Sequence, residues 1–156
     1  MKVYLDNAAT TPIAPEVIEA MIPVMRESFG NPSSSHAFGR NSKALIENAR
    51  RFIAKTINCQ PSEILFNSGG TEGDNMALHC AVNALGVTRI ITSSLEHHAV
   101  GYTADEITNS DKVNLEFVQV SNTGLVDLNH LETLLKTGEK TLVSLMHANN
   151  EIGTLL

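Results

Sequence analysis

The sequence has 156 residues, of which 42% are hydrophobic, 18% charged and 4% aromatic, with a formal net charge of −6. That length suits one ordinary domain with one core. The acidic balance argues against nucleic acid or an anionic membrane as a main partner, because either would need a basic face. Two cysteines, Cys59 and Cys80, lack C-x-x-C spacing, so a disulfide framework is not expected and a reducing compartment is. Met1-Lys2-Val3-Tyr4 has no signal-like apolar run, and no stretch approaches membrane-spanning length, which together read as cytoplasmic.

In chain order, residues 1–13 read as an extended arm and residues 14–58 as N-terminal helices. A first helix is expected over about Pro15–Ser28, with Val17, Met21, Val24 and Met25 on one face and Pro23 kinking or shortening it. The Gly/Asn/Pro/Ser-rich run Phe29–Ser35 is a loop. A long helix then spans roughly Gly39–Ile57, with Leu45, Ala49, Phe52, Ile53 and Ile57 as its apolar stripe and Arg40, Lys43, Glu47 and Arg51 outward.

Residues 59–156 alternate strand and helix patterns, the signature of an α/β domain with a mostly parallel sheet and flanking helices. Strands are predicted over Glu63–Asn67, Thr88–Thr92, Asn114–Val120 and Thr141–Met146. Helices follow over Thr71–Leu85, after Ser93–His98 to about Asn109, and after the cap Asp127, with a turn at Asn122-Thr123-Gly124. Cys80 falls in an apolar helix and reads as a buried, inert thiol.

Ser68-Gly69-Gly70-Thr71-Glu72-Gly73-Asp74-Asn75 joins a predicted strand to a helix start. Glycines let the backbone approach an anion, and the first amides of a helix lack intrahelical acceptors, so this turn suits a phosphate. Thr71 adds a hydroxyl and is expected to cap the helix, with Asp74 completing the box. Two more polar clusters, Glu96-His97-His98 and Asn149-Asn150-Glu151, stand at the ends of other predicted strands. Parallel strands would bring all three to one crevice. A phosphorylated aromatic ligand would use the helix start for its phosphate, a histidine for stacking and an asparagine amide for a ring oxygen. Metal binding by the adjacent histidines is not expected, since neighbouring positions rarely face one ion.

Five segments in order resemble those of the cysteine desulfurases, pyridoxal-phosphate enzymes of the class V aminotransferase group. They are Tyr4-Leu5-Asp6-Asn7-Ala8-Ala9-Thr10-Thr11-Pro12, Gly30-Asn31-Pro32-Ser33-Ser34-Ser35-His36, Phe66-x-Ser68 to Asn75, Glu96-His97-x-Ala99-Val100 and Asn149-Asn150-Glu151-Ile152-Gly153. The resemblance implies part of the large cofactor domain of an aspartate-aminotransferase-like fold, incomplete in these residues. It implies pyridoxal 5′-phosphate as cofactor, with Gly70 and Thr71 on its phosphate. His97 would stack on the pyridine ring and assist proton transfer, and Asn150 would contact the 3-oxygen near the substrate carboxylate.

The implied reaction moves sulfur from L-cysteine to an enzyme cysteine as a persulfide, leaving L-alanine. A sulfur-acceptor protein and a homodimer, or complementation by a carboxyl-terminal half, are the implied partners. None of Lys2, Lys43, Lys55, Lys112, Lys136 or Lys140 stands in the family's Schiff-base context, and neither Cys59 nor Cys80 matches the persulfide cysteine. The chain is therefore expected to be an amino-terminal half, inactive alone, whose Glu63–Asn67 strand would lack its neighbours. A selenocysteine lyase, another class V enzyme, or a non-catalytic module pairing with a full-length subunit remain alternatives.

Overall fold

The computed structural model describes residues 1–110 and 113–156; Lys112 lies outside the described residues. The chain divides into two compact units, Met1–Phe66 and Asn67–Leu156.

In the first unit, helix α1 (Pro15–Glu27) opens with Pro15 at its start and continues through Pro23. Pro23 neither ends nor shortens it. Helix α2 (Ala37–Thr56) is capped by His36, whose Nδ1 accepts from the Gly39 amide at 3.3 Å. The buried residues of α2 are Gly39, Ser42 and Ala54, not the predicted apolar stripe. At Gly39 and Ser42 small residues are required because the preceding loop lies against them. A Cβ on Gly39 would meet the Ser34 carbonyl oxygen at 2.4 Å, and Ser42 Oγ donates to the Ser28 carbonyl.

The predicted strand Glu63–Asn67 is absent. Pro61–Glu63 is a 3-10 turn, and residues 64–67 carry no regular structure. Side chains hold this segment instead: Arg50 donates to the Ile64 carbonyl, and its guanidinium lies 4.9 Å from the Phe66 ring centroid. A strand needs a neighbour for its amides and carbonyls. Among the described residues this one pairs with none.

The second unit begins with helix α3 (Gly70–Asn83) and is built around strand β1 (Arg89–Thr92). Helix α4 (His98–Ser110), strand β2 (Asn114–Phe117), helix α5 (Leu128–Leu135) and strand β3 (Thr141–Val143) follow. The sheet order is β2-β1-β3 and both pairings are parallel, with Arg89 opposite Asn114 on one side and Thr141 on the other. All four residues of β1 are buried, as befits a central strand covered on both faces. The core gathers Leu78, Ile90, Val100, Ala104, Ile107 and Val113, so α3 and α4 pack on the side of the sheet marked by Ile90.

Strands β2 and β3 are shorter than predicted, with four and three ladder positions against a β1 that itself ends at Thr92. Cys80 is exposed, which corrects the buried thiol expected from its helix. The apolar positions that face the core from α3 are Leu78 and Ala81, and Cys80 lies off that line.

Candidate cofactor site

At the start of α3 the helix cap is Gly69, not Thr71. Thr71 lies inside the first turn, no side chain caps the helix amides, and Glu72 braces the loop that precedes the helix. Its carboxylate accepts from the Ser68 amide at 2.7 Å and from Ser68 Oγ at 2.5 Å, which holds its pKa below the usual carboxylate range. Asn67 closes the loop from the other side, its Oδ1 accepting from the Gly69 amide at 3.1 Å. Gly73 makes room for that side chain, since a Cβ there would meet Asn67 Nδ2 at 2.9 Å.

With Ser68 and Gly69 so occupied, the amides of Gly70, Thr71 and Glu72 have no protein acceptor among the described residues. Open space surrounds Gly69 and Gly70, where an added Cβ would meet nothing within 4 Å. Three convergent donors, a hydroxyl and the positive end of a helix dipole make a competent anion cradle.

His97 stands just before α4, and its Nδ1 accepts from the Ala99 amide at 3.1 Å. In the neutral ring the proton then lies on Nε2, and the ring is fixed at the helix start. His97 is exposed, and so is His98, which stacks on Tyr102 with centroids 5.2 Å apart.

The loop after β3 brings Asn149 and Asn150 beside it. Asn149 is half-buried and fully bonded. Its Nδ2 donates to the Leu95 carbonyl at 3.0 Å, and its Oδ1 accepts from Glu151 and Ile152 amides at 2.8 and 3.0 Å. Asn150 is exposed at the apex of that turn. Glu96, which the sequence places in the same polar cluster without a role of its own, accepts from the Met146 amide. Burial lifts its carboxyl above the usual range, the Met146 amide opposes that, and the Asp74 charge adds to it. Only a tertiary contact between residues 50 positions apart reveals this pairing.

Two concavities meet at His97. One, of about 370 Å³, is lined by Thr71, Asn75, His97, His98, Tyr102 and Glu106 among others. The other, of about 200 Å³, is lined by His97, Met146, Asn149, Asn150, Glu151 and Ile152 among others. The three polar clusters thus share one region, with His97 as the common wall. The first volume falls within the range that small-molecule sites occupy. An anion cradle at one end, an exposed imidazole between and a free amide at the far end fit a flat phosphorylated ring. Among the described residues no group of three or more His, Cys, Asp or Glu side chains is placed to hold a metal.

These features define an α/β unit of the kind that holds a phosphorylated cofactor at the carboxyl ends of parallel strands. The Aminotransferase class-V family model matches residues 3–156, and the chain belongs to that family, whose cofactor is pyridoxal 5′-phosphate. It is 48% identical to a cysteine desulfurase IscS of Dictyoglomus turgidum, covering 99% of this chain and 39% of that protein. Identity to a cysteine desulfurase IscS of Methanosarcina thermophila is 43%, over 98% and 38% of the two. Among solved structures, a NifS-like protein superposes with a TM-score of 0.92 at 39% identity, covering 99% of this chain and 43% of that one. SspA in complex with cysteine superposes at 0.85 with 32% identity, over 95% and 43% of the two chains. The chain therefore spans about two fifths of the length of the relatives it matches. The incomplete, mostly parallel α/β fold expected from the sequence agrees with these superpositions.

Proposed function

We propose that this chain supplies the phosphate and ring contacts of pyridoxal 5′-phosphate in a cysteine desulfurase. The observation that carries the reading is the position of His97, which walls both the Thr71 groove and the Asn150 recess. The amides of Gly70, Thr71 and Glu72 with the Thr71 hydroxyl would hold the phosphate. The His97 ring would stack on the pyridine, with Nε2 toward the reacting side to hold or move a proton. The Asn150 amide would donate to the ring's 3-oxygen. When bound, the cofactor supplies an electron sink for the charge that develops beside the substrate nitrogen.

L-cysteine is the proposed substrate, consistent with the names of the relatives and with the cysteine bound to SspA. A sulfur-acceptor protein and a second subunit belong to the same reading. Covalent work on the cofactor needs a placed lysine amine. The resemblance assigns that role to none of this chain's lysines, so the chain by itself would bind without turning over.

Fluorescence titration of the chain with pyridoxal 5′-phosphate and with pyridoxal tests the reading. The phosphorylated form is expected to bind at least tenfold more tightly, about 1.4 kcal/mol. Thr71→Ala is expected to remove most of that difference, and no alanine should form from added cysteine. Equal affinity for the two compounds would overturn the phosphate assignment.

A further inference from the structure

We infer that Asn149 is a positioning residue that, together with Glu96, clasps the His97 loop to the Asn150 loop. The inference rests on the reading above, that His97 and Asn150 face the same ring.

The two loops leave adjacent parallel strands, and their ladder ends early. Its last backbone bond runs from the Ser144 amide to the Ile91 carbonyl at 2.9 Å. Beyond that point no backbone–backbone bond joins residues 93–98 to residues 145–152 among the described residues. Two side chains replace it. The Glu96 carboxylate accepts from the Met146 amide, and Asn149 Nδ2 donates to the Leu95 carbonyl at 3.0 Å. The same Asn149 side chain accepts from the Glu151 and Ile152 amides, forming the turn that carries Asn150 at its apex. One amide therefore sets both the shape of the Asn150 turn and its distance from the His97 loop. A third loop closes the assembly: Gly124, at φ +80°, lies so close that a Cβ would meet Ile152 Cδ1 at 2.5 Å and Leu95 Cδ1 at 3.7 Å. The division of labour in Asn149-Asn150 follows from burial. The first residue is half-buried with its amide spent on protein groups, and the second is exposed in the recess.

Asn149→Asp separates the two roles. One carboxylate oxygen can still accept from both the Glu151 and Ile152 amides, so the turn is retained, while the donor to Leu95 is replaced by the other oxygen, which faces a carbonyl. The readouts are affinity for pyridoxamine 5′-phosphate, the circular dichroism induced in its ring, and competition by inorganic phosphate, which reports the Thr71 cradle alone. Asn149→Asp is expected to lower the induced signal at least twofold and the affinity about fivefold, with phosphate competition unchanged within twofold. Glu96→Ala is expected to do the same, whereas Glu96→Gln, which keeps an acceptor for Met146, should retain the wild-type signal. This second pair decides the matter if Asn149→Asp does not fold. A wild-type ring signal in Asn149→Asp or in Glu96→Ala overturns the clasp while leaving the cofactor reading intact. Failure of the unaltered chain to bind pyridoxamine 5′-phosphate removes the cofactor reading and the clasp together.

Discussion

Glu96 shows how a single side chain can serve geometry at a cost to stability. Burial and the Asp74 charge raise its pKa, and the Met146 amide only partly offsets them. A carboxyl whose folded-state pKa lies above its unfolded value binds protons better when folded, so its contribution to stability falls as pH rises through that range. Glu116 is opposite in sign. The hydrogen bond from Arg89 lowers its pKa, so its contribution is present above the unfolded value and is lost as pH falls through the folded one. Glu96→Gln is accordingly expected to raise the melting temperature at neutral pH, and the gain should vanish below about pH 4, where both forms are neutral. A gain of the same size at pH 3 would show that charge is not the cause. At this scale the sequence was informative about residue types. The glycine pair with Thr71, the histidine after β1 and the asparagine after β3 all stand out by chemistry alone. The cap expected of Thr71 is not formed: the cap position is Gly69, which has no side chain, and Glu72 bonds back to Ser68 ahead of the helix. The tie between Glu96 and Met146 is invisible in sequence because nothing local requires it.

Among the elements, β1 carries the heaviest constraints. Arg89 at its start is 2% exposed, yet Glu116 from β2, the Leu134 carbonyl and Thr137 Oγ1 all accept from its guanidinium at 2.7–2.8 Å. A buried cation so fully bonded is a strut joining β1, β2 and the end of α5. Arg89→Met is expected to destabilise the chain by about 3 kcal/mol, as when one partner of a buried pair is removed, with Glu116 partly rehydrated because it is not itself buried. Chemical denaturation measures this, and a loss below 1 kcal/mol would demote the strut to a surface pair. The cap of α5 is a smaller, local effect. Asp127 Oδ1 accepts from the Asn129 and His130 amides at 2.9 and 3.0 Å, so Asp127→Ala should cost about 1 kcal/mol in the same measurement. Helix positions and the Asp127 cap were legible because period and capping chemistry are local. The apolar run of residues 63–67 predicts a strand, but pairing is non-local, and the segment instead rests on Arg50. The buried face of α2 departs from its apolar stripe for a related reason. Its stripe of Leu45, Phe52 and Ile57 is apolar, yet close backbone approach selects the small Gly39 and Ser42 for burial.

Across the molecule, burial is distributed unevenly. The second unit holds the core of Leu78, Ile90, Val100, Ala104, Ile107 and Val113. Helix α1 of the first unit has no buried residue, and its stripe of Val17, Met21, Val24 and Met25 stays exposed. Each large aliphatic side chain taken out of water contributes about 2 kcal/mol, so the two units differ by far more than helix propensity can offset. An isolated helix of 13 residues is marginal in water, and α1 adds to this an internal proline that removes one amide donor. Local opening should therefore be graded along the chain rather than uniform. Amide hydrogen exchange followed by mass spectrometry is expected to show α1 exchanging at least about a hundredfold faster than β1. Slowest exchange should fall at Ile90 and Ile91, whose side chains are fully buried in the central strand. The His97 and Asn150 loops should be intermediate, since side-chain bonds hold them beyond the end of the ladder. Protection of α1 equal to that of β1 would mean that its apolar stripe is covered in solution, and the graded picture would be wrong.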